Sequence, residues 1–144
     1  MKTRNILLVE DNEGDIVLTL EAFKDGGVAN KVSVLKDGQE AIRFLNKEGK
    51  YIKEKTPDMV LLDINLPKVD GKDVLKYIKS SDYLKSIPVI IFTTSSSEKD
   101  IQDCYNNYAN CYITKPDNFN KFQEAIHTIE NFWTAMVQLG VNKT

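Results

Sequence analysis

Short, nearly unbroken apolar runs alternate along this chain with stretches where apolar residues return every three or four positions. The first run is Ile6-Leu7-Leu8-Val9, ending on Glu10-Asp11. Ile16, Leu20 and Phe23 follow at i, i+4 and i+7, the period of one helix face, and that pattern stops at Gly26-Gly27. The cycle then repeats. A run from Val32 to Leu35 precedes a helix opened by Asp37-Gly38 that carries Ala41, Phe44 and Leu45. Asn46 to Pro57 reads as a long polar loop. Met59 to Leu62 ends on Asp63, and Gly71 precedes a helix with Val74, Leu75 and Ile78. Val89 to Phe92 ends on Thr93. The helix after it carries Ile101, Cys104, Tyr105 and Tyr108, with Ser97 and Asp100 spaced as a capping pair. Cys111 to Thr114 ends on Lys115-Pro116, and a last helix runs from about Asn118 past Trp133.

Five strands alternating strictly with five helices predict an α/β fold with a parallel sheet covered on both faces. In such sheets, ligands bind beyond the carboxyl ends of the strands. The residues that terminate the strands are therefore the informative ones. They are Glu10 and Asp11 after the first, Asp63 after the third, Thr93 after the fourth and Lys115 after the fifth. The second strand contributes none, as expected of an edge. Three carboxylates, a hydroxyl and an amine thus converge on one rim. Carboxylates so close repel one another unless a cation intervenes. Mg2+, or Mn2+ in its place, suits oxygen donors of this kind and keeps room for phosphate. A carboxylate beside such an ion is a recognised nucleophile for an aspartyl phosphate. Lys115 and Thr93 are placed to neutralise the transferred group.

Composition narrows the setting. The 144 residues fit one domain, and a formal net charge of -2 gives no electrostatic case for nucleic acid. No apolar run approaches the roughly 20 residues of a membrane helix. Cys104 and Cys111 lack metal-ligand spacing and read as packing thiols in a reducing, cytoplasmic setting. His127 is the only histidine, lies mid-helix, and reads as structural.

The segments Leu8-Val9-Glu10-Asp11-Asn12, Leu61 to Gly71 with Asp63 at its centre, Pro88 to Ser95, and Tyr112-Ile113-Thr114-Lys115-Pro116 occur in order, each at a strand end. Together they resemble the receiver domain of two-component response regulators, over about residues 5 to 135. The loop with Tyr51, the stretch Asn110 to Lys115 and the run Ile129-Glu130-Asn131-Phe132-Trp133 are similar to small single-domain regulators paired with bacterial phytochrome kinases. The resemblance implies a flavodoxin-like doubly wound sheet of strand order 2-1-3-4-5, one receiver domain over residues 1–144 and no output domain. It implies Asp63 as phosphoacceptor and a metal held by Glu10, Asp11, Asp63 and the backbone carbonyl of Asn65. Thr93 resembles the switch hydroxyl, Lys115 the phosphate-pairing lysine and Tyr112 the switch aromatic. The bond to Pro116 is expected to be cis. Asn65 and Ser95 are expected to tune dephosphorylation. The implied partners are a histidine kinase or phosphotransfer protein and a downstream protein target. Two positions depart from the commonest pattern. Thr94 stands where a smaller residue is common and is expected to join Thr93 at the phosphoryl group, narrowing access to it and altering its lifetime, and Tyr108-Ala109 occupy a turn that often holds glycine.

In the final helix Phe122, Ile126, Ile129, Trp133 and Val137 form one stripe, widened by Ala125, Phe132 and Leu139. That exceeds the face an ordinary surface helix needs. Ala125, Phe132, Trp133 and Leu139 are therefore expected to form a homodimer or partner face. Two rival functions are weaker. A phosphatase acting on small phosphate esters through an aspartyl nucleophile needs a second Asp two residues on, where this chain has Asn65. A flavin or nucleotide module needs a Gly-, Ser- or Thr-rich first loop, whereas Glu10-Asp11-Asn12-Glu13 is acidic.

Overall fold

The chain builds a five-stranded parallel sheet between two layers of helices, as seen in a computed structural model that describes residues 3–26 and 30–142, with side chains through Thr134. In chain order the elements are β1 (Arg4–Val9), α1 (Glu13–Asp25), β2 (Asn30–Leu35), α2 (Gly38–Leu45), β3 (Met59–Leu62), α3 (Gly71–Ser80), β4 (Val89–Thr93), α4 (Glu98–Asn106), β5 (Cys111–Thr114) and α5 (Phe119–Asn142). The spatial order is β2-β1-β3-β4-β5, so β1 and β3 are neighbours and the chain reverses direction across the sheet between them.

The period-2 alternation of strand side chains sorts the core into two halves. Leu7, Val9, Val60, Leu62, Val89 and Ile91 face the layer of α2, α3 and α4. Ile6, Leu8, Met59, Leu61, Ile90 and Phe92 face α1 and α5. Both sides of β1, β3 and β4 are thus covered, which is why those runs are apolar throughout.

Helix starts follow local chemistry. The side chains of Asn12, Asp37, Asp70 and Ser97 accept hydrogen bonds from the backbone N–H groups of Asp15, Glu40, Lys72 and Asp100. Each satisfies a donor that the first helical turn leaves free. The strand order is as expected, and four local expectations change. β1 and β2 begin at Arg4 and Asn30, two residues before their apolar runs, because backbone pairing (Arg4 with Asn30, Asn5 with Lys31) does not need apolar side chains. The loop from Asn46 to Pro57 contains a 3-10 turn at Gly49–Tyr51, with Tyr51 packed edge-on to Phe44 at 5.3 Å between ring centres. Tyr108, expected on the fourth helix, lies beyond its end at Asn106, in a turn where it adopts the left-handed conformation at φ 67° that ends the helical run. Among the described residues no peptide bond is cis, so the Lys115–Pro116 bond is trans. The general preference of prolyl bonds is for trans, and context selects the isomer.

Candidate functional site

The site lies where β1, β3, β4 and β5 end. Parallel pairing sets those ends side by side: Val9 pairs with Leu62, and Thr93 with Thr114. The next residue on each strand therefore emerges on the same rim. Glu10 is anchored by its backbone N–H, which donates to the Leu35 carbonyl at 2.9 Å. The Asp63 N–H donates to the Val9 carbonyl at 3.0 Å, and the Lys115 N–H donates to the Thr93 carbonyl at 2.6 Å. Strand hydrogen bonding thus continues one residue into the site and fixes the stems of three functional side chains.

One carboxylate oxygen from each of Glu10, Asp11 and Asp63 lies within 4.8 Å of the other two. Glu10 and Asp63 are buried and Asp11 is exposed, so the cluster opens to solvent on one side. The Lys115 side chain is 4% exposed. Its Nζ lies 2.5 Å from Glu10 Oε1, 3.0 Å from Asp63 Oδ2 and 2.8 Å from Asp15 Oδ2. An ammonium has three N–H donors, and each has a carboxylate acceptor. Burial opposes the Lys115 charge, but the hydrogen bonds to Asp15 and Glu10 and the charge of Asp63 outweigh it and raise its pKa. Burial pushes the Glu10 carboxyl up to about 7, helped by the Asp63 charge and opposed by Lys115. Four carboxylates face one ammonium, and the acidic trio supplies the hard oxygen donors that a divalent cation of the Mg2+ type accepts. The residues present fit such an ion.

The other positions read from the sequence fall around this centre. Thr93 is fully buried at the end of β4, with its Oγ1 accepting a 3.5 Å contact from the Ser95 N–H. Thr94 and Asn65 are exposed at the rim. The Asn65 N–H donates to Asp63 Oδ1 at 3.0 Å and so fixes the carboxylate plane. Tyr112 is half-buried, and its hydroxyl donates to the Ser95 carbonyl at 2.8 Å. The Ser95 hydroxyl turns toward α4 and donates to Asp100 Oδ2 at 2.5 Å. Asp100 in turn meets Lys72 of α3 at 2.5 Å, and Lys72 also reaches Asp103 at 2.9 Å. The pairing of Ser97 with Asp100 is therefore one-sided: Ser97 caps the Asp100 N–H, while the Asp100 carboxylate goes to Ser95 and Lys72.

On α5, Trp133 is buried under the Arg4 guanidinium, 3.9 Å from the ring centre, and belongs to the core. Its width on the helical wheel is used to cover β1, which corrects its assignment to an outward face. Ala125 is partly buried against the same core, and Phe132 is exposed. The Leu139 side chain lies outside the described residues. Sequence reading missed Asp15. Three residues after the cap Asn12 it reads as a capping position, and only the fold brings it to Lys115.

Residues 6–127 match the response regulator receiver domain family. Response regulator Rcp1 of Synechocystis sp. is 41% identical over 134 residues, which cover 93% of this chain and 91% of Rcp1. The probable methanogenesis regulatory protein FilR2 of Methanothrix harundinacea is 41% identical over 140 residues, covering 96% of this chain and 86% of FilR2. Among solved structures, the phosphorylated cyanobacterial phytochrome response regulator RcpA superimposes with a TM-score of 0.90 at 44% identity, covering 94% of this chain and 96% of RcpA. The Mn2+-bound form of Rcp1 superimposes at 0.87 and 41% identity, covering 90% of this chain and 94% of Rcp1.

Proposed function

From the premise that this chain belongs to the response regulator receiver domain family, we propose that Asp63 accepts a phosphoryl group from a histidine kinase or phosphotransfer protein. The observation that carries this reading is the Lys115 ammonium 3.0 Å from Asp63 Oδ2, beside the acidic trio. Mg2+ or Mn2+, held by Glu10, Asp11, Asp63 and the Asn65 carbonyl, supplies charge neutralisation for the phosphoryl oxygens when bound. The bound metal of Rcp1 supports that assignment.

In the transfer, a carboxylate oxygen of Asp63 forms a bond to phosphorus as the phosphorus–nitrogen bond to the donor imidazole breaks. The imidazole keeps the bonding electron pair. Lys115 pairs with a phosphoryl oxygen, and the Thr93 hydroxyl turns to donate to another. Movement of Thr93 shifts the β4–α4 segment that carries Ser95, whose carbonyl holds the Tyr112 hydroxyl. The face of α4, β5 and α5 then changes toward a downstream protein, a local charge event biasing a two-state surface. Asn65 and Ser95 tune the later hydrolysis. Asn65 offers no carboxylic acid to protonate a leaving group, which disfavours repeated turnover on phosphate esters.

The similarity to Rcp1 and RcpA along most of their length supports a regulator that works through its receiver domain. The phytochrome description of RcpA supports a phytochrome-type kinase as donor. Among the described residues no helix is long and apolar enough to cross a membrane. The outer side of α5, with exposed Phe132, serves as a homodimer face.

Incubation with a small phosphodonor and Mg2+, followed by intact mass, tests the central step. The wild type gains one phosphate and Asp63→Asn gains none at that site. Equal labelling of the two proteins removes the assignment.

A further inference from the structure

The Lys115 ammonium has three partners, and the transfer described above uses only two of them. The third is Asp15 Oδ2 at 2.8 Å, a shorter contact than the one to Asp63. Asp15 lies in the first turn of α1, three residues after its cap Asn12. An acidic residue there ordinarily closes a capping box by accepting the backbone N–H of the cap residue. In this chain that N–H donates to Glu10 Oε2 at 3.2 Å. The Asp15 carboxylate is thereby released from capping, and it crosses to the end of β5, 100 residues away in sequence. It also stands outside the trio of oxygens that fits a cation.

We infer that Asp15 is a positioning residue: it holds the Lys115 ammonium beside Asp63 while the other two carboxylates are engaged by metal and phosphoryl group. The inference rests on the reading of Asp63 as acceptor and deepens it. A lysine ammonium is a point charge on a flexible four-carbon stem, with donors that rotate freely. Glu10 and Asp63 hold it in the structure described here, yet Asp63 is consumed as the nucleophile and both share their oxygens with a cation. Asp15 alone keeps its charge and its lone pairs through the whole cycle. The first turn of α1 is also a favourable place for a negative charge. With one N–H committed to Asp15, Lys115 enters the transfer with its remaining donors aimed at the incoming oxygens. Phosphoryl transfer depends on such placement, since small misplacements of a charged group slow it by orders of magnitude.

The test uses the full chain, a small phosphodonor and Mg2+, with phosphate gain followed by intact mass over time. Asp15→Ala is expected to gain phosphate about tenfold more slowly than wild type. Asp15→Asn, which keeps the shape and loses the charge, is expected to be slowed in the same direction. A second readout separates positioning from general structure. In proton–nitrogen spectra of the side-chain ammonium groups recorded with saturating Mg2+, Lys115 gives a protected signal, identified by its loss in Lys115→Met. That signal broadens or disappears in both Asp15 variants, while the signal of Lys72, held by Asp100 and Asp103, stays. Wild-type rates in both variants overturn the inference, and so does slowing with an unchanged Lys115 signal. A wild type that gains no phosphate on Asp63 overturns the functional reading itself, a separate outcome.

Discussion

Asp63 holds its position through contacts that leave no room on its backbone side. A β-carbon added at Gly71 would stand 2.2 Å from the Asp63 carbonyl oxygen and 2.4 Å from the Ile64 α-carbon. Both obstacles are backbone, and the Gly71 N–H donates to the Ile64 carbonyl at 3.0 Å, so neither side can yield. The need for glycine here is one of space. Gly49 is the opposite case, with φ +55° and nothing within 4 Å of an added carbon. Gly71→Ala is expected to cost about 3 kcal/mol, the upper part of the range for overpacking. Gly49→Ala is expected to cost about 1 kcal/mol, from the left-handed backbone alone. Urea unfolding of the two variants checks the order, and equal midpoints would contradict it. In sequence, Gly71 reads only as a helix start. Its contact with the acceptor's backbone depends on how the β3–α3 loop folds back.

At the level of elements, α5 turns most of its apolar residues inward and leaves Phe132 exposed. Phe122, Ile126, Ile129 and Trp133 are buried against the sheet, and Phe122 meets Phe92 edge-on at 5.1 Å. Phe132 is 42% exposed and makes no part of that core. If this side joins two copies, Phe132→Asp places a charge in a desolvated contact. The expected loss is about 2 kcal/mol, roughly thirtyfold in dimer dissociation constant. Analytical sedimentation then finds a dimer for wild type and a shift toward monomer for the variant. Monomers in both proteins eliminate the dimer. The apolar count along this helix was visible in the sequence, but the count does not separate Trp133 from Phe132. Which of them faces inward is set by the position of β1, where Arg4 lies over the Trp133 ring.

At the scale of the whole molecule, charged groups are buried at both ends of the sheet. The rim with Asp63 balances its carboxylates with Lys115. At the other end Glu130 is buried, and burial raises its pKa, against a hydrogen bond from Asn30 and the charges of His127 and Arg4. A carboxyl whose folded pKa is raised favours the fold while protonated. Its contribution is complete below the ordinary value of 4.5 and is lost as pH rises through the folded value. Glu130→Gln keeps an acceptor for Asn30 and removes the titration. Its stability relative to wild type is therefore expected to increase as pH rises from about 4 toward neutrality, where buried carboxylates ionise. Denaturant unfolding across that range measures the difference. A constant difference would rule out Glu130 as the source.

The alternation of runs, the helix caps and the five strand-end residues were determined by the sequence itself, because each depends on a short period or on neighbours a few positions apart. That Glu10, Asp63, Thr93 and Lys115 belong to one rim also followed from order alone, since parallel strands must end on the same side. Tertiary structure decided what depends on distances between remote segments. Asp15 is an ion-pair partner of Lys115 and no capping-box residue, because Glu10 takes the Asn12 N–H. Ser95 points to Asp100, because Lys72 on α3 fixes that carboxylate. An isolated side chain has several acceptable partners, and packing selects among them by bringing only one set within hydrogen-bond reach.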